Sequence, residues 1–182
     1  MTAYPGPDQV SDAALVDAYR AGSQAAASEL VTRHARSVGR FLYSAGASQS
    51  DVEDLAQEAF FRAFRRLESW RGDASFRSWL FSIARNLLKD EFRKRRGRQV
   101  LSLEDRDLPN QDDPVGEVEA LEAAERMRQG LKGLPRLQRE VFLLRVQEGT
   151  SYDEIAAALD TTPGAARVHY HHAVKRLKEL LV

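Results

Sequence analysis

An all-α fold of two small helical domains, joined by an acidic flexible linker and with a helix-turn-helix in the second, is predicted by three observations. Apolar residues recur at three- and four-residue spacings through residues 11–98 and again through 121–182, the period of helices with one buried face. Between these stretches, over residues 99–120, "LSLEDRDLPNQDDPVGEVE" combines acids, two prolines and little periodicity, which is the composition of a tether. Towards the end, "SYDEIAAAL", "DTTPG" and "AARVHYHHAVKRLKELL" run in the order short helix, tight turn, long helix, as a helix-turn-helix requires.

Each element has its own warrant. Two helices are expected in "SDAALVDAYRAGSQAAASELVTRHARSVGRFLYSAG", with Leu15, Val16 and Tyr19, then Leu30, Val31, Val38, Phe41 and Leu42 facing inward and Gly22 and Gly46 as punctuation,. A third opens with a capping box, Ser50 followed by Glu53, and buries Val52, Leu55, Ala56, Ala59, Phe60, Ala63, Phe64 and Leu67,. After the turn "ESWRGDA", Ser75 caps a long helix whose stripe is Phe76, Trp79, Leu80, Ile83, Ala84, Leu87, Leu88 and Phe92,. In the second domain two helices divide around residues 133–135, the latter of them presenting Leu137, Val141 and Leu144,. Ser151 and Glu154 predict another capping box, and Thr162 with Pro163 opens the last helix,.

The composition narrows the function. With 182 residues, 43% hydrophobic and 30% charged, the chain suits one or two compact soluble domains,. It has no cysteine, so disulfides and thiolate zinc sites are excluded, while metal binding through its 4 histidines and its acids stays open in principle,; no cofactor is expected. No apolar run reaches the ~20 residues that span a bilayer, and "MTAYPGPDQV" lacks a secretory signal, so a cytoplasmic protein with no membrane insertion is expected. Its formal net charge of zero hides segregation. From residue 62 to 98 twelve Lys or Arg face four acids, whereas 97–120 holds seven acids and two bases, so a local basic surface survives the average.

That surface points to a polyanion. Arg85, Lys89, Arg93, Lys94, Arg95, Arg96 and Arg98 crowd one helix and repel one another unless anions intervene; a solvated charge run is the plainer reading. The last helix offers Arg167, His169 and His171 outward, with Lys175, Arg176 and Lys178 for backbone contacts,; a solvated packing helix is its alternative. Trp79 fits the core, while Trp70 and Phe81 are candidates for contact with unstacked bases,. Catalysis has little support. Asp51, Asp54 and Glu58 can share a helix face without a matching constellation, which leaves a solvated face or a protein-docking surface, and His169, His171 and His172 do not share one face for a metal,.

In "DVEDLAQEAFFRAFRRL" with "WRGDASFRSWLFSIARNLLKDEFRKRR", and in "LPRLQREVFLLRVQEGTSYDEIAAALDTTPGAARVHYHHAVKRLKELL", the chain resembles an extracytoplasmic-function sigma factor of the bacterial sigma-70 family, regions 2 and 4 respectively. The resemblance implies a non-enzymatic factor that binds the bacterial RNA polymerase core, reads promoter DNA and takes an anti-sigma factor. It assigns Asp54, Gln57, Glu58 and Phe61 to core polymerase. Trp70, Arg71, Asp73, Phe81, Arg85, Asn86, Lys89 and Arg93 are assigned to the −10 element and its melting. Arg136, Arg139, Arg167, His169, His171, His172 and Arg176 are assigned to the −35 element. Where many relatives carry a more basic run, this chain has "AARVHYHHAV". A helix-turn-helix regulator working without polymerase, or a helical interaction adaptor, is the competing expectation.

Overall fold

In the computed structural model, residues 10–101 and 118–181 are described; most of the acidic tether predicted above, residues 102–117, lies outside them. The first domain comprises α1 (Asp12–Arg20), α2 (Gln24–Ala45), α3 (Gln49–Arg65), a 3-10 turn (Leu67–Ser69) and α4 (Phe76–Leu101). The second comprises α5 (Val118–Lys132), α6 (Arg136–Val146), α7 (Tyr152–Leu159) and α8 (Pro163–Leu181).

Local signals set most boundaries. Ser11 Oγ accepts from Ala14 N–H, and Ser23 Oγ from Ala26 N–H, opening α1 and α2. Gly46, at φ 115°, closes α2 in a backbone conformation that costs glycine little,. Ser75 Oγ accepts from Ser78 N–H at the start of α4, and Thr162 Oγ1 from Ala165 N–H at the start of α8. Ser151 and Glu154 form the reciprocal box that opens α7.

The box expected at Ser50 and Glu53 is not formed. Ser48 is the N-cap of α3 and Ser50 lies inside the helix. Ser48 Oγ donates to Asp51 Oδ2 over 2.6 Å, and Asp51 also takes Arg95 of α4, so the helix start is tied to α4 by charge instead of by a Glu53 cap.

In the first domain α2 packs against α1, α3 and α4; in the second, α8 packs against α5, α6 and α7. The domains also meet each other. α7 packs on α4, and α5 and α6 on α2, so one continuous buried cluster runs from Leu30, Phe41 and Leu80 through to Leu143, Leu144 and Ile155. The burial of these residues is the main stabilising term.

Candidate nucleic-acid interface

The loop between the 3-10 turn and α4 projects three exposed residues, Arg71, Gly72 and Asp73. Gly72 sits at φ 82° with no atom within 4 Å of where a Cβ would be, so the turn needs glycine for its backbone and not for space. Trp70 is 9% exposed. Its Nε1 donates to Ala74 O over 3.1 Å, and its ring meets Phe76 edge-on at 6.2 Å. The indole is therefore the floor of the loop, not an open stacking platform as the sequence reading allowed.

Phe81 also needs correction as a base contact. It is 1% exposed and meets Phe41 edge-to-face at 5.2 Å, with the Arg77 guanidinium 5.7 Å from its ring. α4 is enclosed on one side by its own domain and on another by α7; its buried arc is thus wider than the single stripe of an isolated domain.

Asn86, Lys89 and Arg93, three or four residues apart, form one exposed stripe along α4,. Arg93 pairs locally with Asp90 at 3.1 Å. The expected mutual repulsion of the basic run is partly relieved inside the chain, since Arg95 is held by Asp51 and by Glu91.

Arg85 lies apart from that stripe. Its Nε donates to Glu140 Oε2 over 2.8 Å, while Arg136 Nε donates to the other oxygen over 2.6 Å. Arg136 Nη2 also reaches Arg85 O, and Arg139 Nη1 donates to Ala45 O over 3.1 Å. Burial pulls the Arg139 guanidinium below its ordinary value. Three arginines assigned to two promoter elements thus converge on the contact between the domains.

Glu148 makes a second bridge. Arg40 donates to it through Nε and Nη2, at 3.1 and 2.8 Å, and Arg77 Nη2 reaches its other oxygen at 2.8 Å. Both acids escaped the sequence reading, yet Glu140 left a signal there. It stands at i+3 in the apolar stripe of Leu137, Val141 and Leu144, and an acid on a buried face needs a cation.

On α8, Ala166, Ala173 and Leu177 are buried while Arg167, His171, His172, Lys175 and Arg176 are exposed. The Arg167 and Arg145 guanidiniums lie 5.0 and 4.9 Å from the Tyr152 ring. His169 is only half-exposed, and its Nδ1 is buried with no hydrogen-bond partner among the described residues. It flanks the exposed face instead of sharing it. Among the described residues no three His, Asp or Glu side chains are grouped as a metal site, and no helix is long and apolar enough to cross a membrane.

The outer face of α3 is separate from both. Asp54 and Gln57 are exposed, Glu58 is half-buried and bound to Arg62 at 2.6 Å, and Phe61 is 56% exposed under the Arg65 guanidinium. Beside it, α2 and α3 enclose an apolar groove of about 840 Å³ over Val31, Ala35, Val52 and Phe60, with Arg36, Arg40 and Glu53 at its edges.

Two family models match the chain. Sigma-70 region 2 matches residues 30–98, and Sigma-70, region 4 matches residues 124–177. The chain is 34% identical to the RNA polymerase sigma factor NccH of Alcaligenes xylosoxydans xylosoxydans, over 96% of each chain. It is 33% identical to the ECF RNA polymerase sigma-E factor of Escherichia coli (strain K12), over 88% of each. The structure of CnrH in complex with the cytosolic domain of CnrY superposes with a TM-score of 0.73 at 28% identity, covering 93% of this chain and 96% of that one. The sigma factor RpoE, solved with the anti-sigma factor NepR from Bartonella quintana, shares the fold with a TM-score of 0.71 at 24% identity, over 85% of this chain and 95% of that one. Two sigma regions in order on one chain, and relatives of this identity along almost its whole length, establish that the protein belongs to the sigma-70 family, as an RNA polymerase sigma factor of the extracytoplasmic-function group.

Proposed function

We propose that the protein binds the bacterial RNA polymerase core through α3, reads the −35 element with α8, and captures the opened −10 strand with the loop at residues 71–73 and the α4 stripe. The observation that carries this reading is the separation of three exposed surfaces on one chain. These are an acidic and aromatic face at Asp54, Gln57 and Phe61, a polar loop with the cationic stripe of Lys89 and Arg93, and the first turns of a helix-turn-helix at Arg167 and His171. A DNA regulator acting alone has no use for the first of them.

Polymerisation chemistry stays with the core enzyme. The factor contributes differential binding, because contacts made only to unstacked bases offset the few kcal/mol that unstacking each step costs. Arg85 and Arg136 are tied to Glu140 while the domains are closed, so loading onto promoter DNA separates α6 and α7 from the first domain and frees these cations for phosphate. A helical anti-sigma partner fits the apolar groove between α2 and α3, next to the polymerase face, and would compete with core binding there. The site of action is the cytoplasm.

The test is transcription by purified core polymerase on a library of randomised promoters, with and without the full chain. Initiation at a recurrent pair of spaced elements is the expected result. A folded chain that adds no initiation on any member overturns the reading.

A further inference from the structure

Arg20, at the end of α1, is remote in sequence from every residue assigned to DNA, yet it is built into the base of the exposed loop. Its Nη2 donates to Leu67 O over 2.8 Å and to Trp70 O over 2.7 Å. Its guanidinium carbon lies 5.8 Å from the centroid of the Trp70 ring. One charged group therefore joins both ends of the segment 67–70 and touches the ring that floors the loop.

The rest of the loop base is closed by local bonds and by Ser75 Oγ, which donates to Glu154 Oε1 of α7 over 3.2 Å. Trp70 N–H returns to Leu67 O over 3.1 Å, the indole donates to Ala74 O, and Ser75 caps α4. Between these anchors only Arg71, Gly72 and Asp73 stay exposed. The anchors cover both flanks of the loop, but among the described residues only Arg20 ties it to another helix through the backbone on its N-terminal side. A charge-assisted bond to a carbonyl is stronger than a neutral one, and a binding loop held in its bound shape loses less entropy on meeting its ligand.

α1 is itself fixed, so the strut has something to push against. Leu15 and Val16 are buried, Tyr19 meets Phe64 at 5.1 Å, and Asp12 is bound by His34 and Arg33. The carboxylate of Asp17, at 3.2 Å from Arg20 Nη1, is largely exposed, so it orients the guanidinium without neutralising it in a dry site.

We infer that Arg20 is the positioning residue of the strand-capturing loop: it touches no DNA, and it sets the height and tilt of Arg71 and Asp73 through the carbonyls of Leu67 and Trp70 and the face of the Trp70 ring. This rests on the reading of residues 71–73 as the part that meets the opened strand.

The experiment uses holoenzyme of the full chain with core polymerase. Probes are a single-stranded DNA selected by the wild type from a random pool, a duplex carrying the selected upstream element, and core polymerase itself. Arg20→Met, which keeps the stem and removes the donors, is expected to weaken the single strand about tenfold and to flatten its base preference, with duplex and core affinities within about twofold. Arg20→Lys, able to reach a carbonyl but not to span both in a plane, is expected to recover part of the preference. Arg71→Ala with Asp73→Ala reports on the loop directly.

If that double variant loses strand preference while Arg20→Met keeps it, the positioning role is overturned and the loop assignment stands. If both keep it, the loop is not the reader and the underlying proposal falls with the inference. Equal losses by Arg20→Met in strand, duplex and core binding, with a lowered melting temperature, would reduce Arg20 to general scaffolding and overturn the inference as well.

Discussion

Arg85 of α4 donates through Nε to Glu140 of α6 over 2.8 Å, and the carboxylate it meets has only 1% of its side-chain surface exposed. A pair so shielded is little screened by salt, and removing one charge leaves the other uncompensated in a poorly hydrated place. Closure of the two domains and the phosphate binding proposed for Arg85 therefore draw on the same cation. Glu148 repeats the arrangement with Arg40 and Arg77.

Replacing both acids, Glu140→Gln with Glu148→Gln, is expected to shift the balance towards separated domains by about 2–4 kcal/mol. The chain has no cysteine, so one introduced in each domain takes a dye pair cleanly. Energy transfer should fall in the double variant and stay nearly constant for wild type across moderate salt. Unchanged transfer in the variant would show that apolar packing alone holds the domains.

These acids also mark the limit of what the sequence discloses. Helix order and the helix-turn-helix were legible, because periodicity and caps are local signals, as at Ser75, Ser151 and Thr162. The contact between domains was not, because it depends on pairs 51–108 residues apart, such as Arg136 with Arg85 O and Arg40 with Glu148. Phe81 was misplaced because its ring turns against Phe41 of α2, a pairing distant in sequence that the stripe of α4 alone does not announce. At Ser50 the error was one of choice, since Ser48 two residues earlier had Asp51 and Arg95 as partners.

Gly46 couples the end of α2 to that contact. Its φ of 115° strains any side chain, and a Cβ there would lie 3.2 Å from Phe92 Cζ and 3.3 Å from Arg139 Nη1. Gly46→Ala is expected to cost about 2 kcal/mol of stability in urea unfolding, mostly from the backbone. A variant as stable as wild type would mean that the α2 end relaxes freely, and with it the Arg139 bond to Ala45 O.

Acid should loosen α1. The hydrogen bond from His34 holds the Asp12 carboxyl below its ordinary value of 3.8; burial opposes this, and the charges of His34 and Arg33 add to it. A carboxyl depressed in the folded state contributes stability that is complete above the ordinary value and lost as pH falls through the folded one. The difference in melting temperature between wild type and Asp12→Asn should therefore be full near about pH 6 and shrink towards about pH 3. A gap that widens on acidification would contradict the pairing.

Charge reversal on α3 separates docking from folding. Asp54 is exposed, and Glu58 gives up only a half-exposed pair with Arg62, worth a few tenths of a kcal/mol. Asp54→Lys with Glu58→Lys is expected to leave thermal unfolding within about 1 kcal/mol of wild type. Affinity for core polymerase should fall at least about tenfold. A binding titration with unchanged affinity would remove these residues from the docking face.

Arg167 is the fifth residue of α8 and stands exposed, its guanidinium carbon 5.0 Å from the Tyr152 ring. A side chain early in the second helix of a helix-turn-helix points at base edges, and the ring beneath it limits its freedom before DNA arrives. Arg167→Ala is expected to cost about 1–3 kcal/mol at one upstream base position and to relax preference there, as loss of a base contact does. A phosphate contact would instead weaken all sequences alike and lower the salt slope by about one. Tyr152→Leu removes the platform while leaving the arginine, so it should lose a smaller share of the same preference at the same position. Because Tyr152 also packs edge-on against Tyr170 at 6.2 Å, its variant is to be compared at temperatures where circular dichroism shows an intact fold. Unaltered affinity and selectivity in Arg167→Ala would return this arginine to the solvent-facing surface and leave His171 and His172 as the remaining base readers of the first turns.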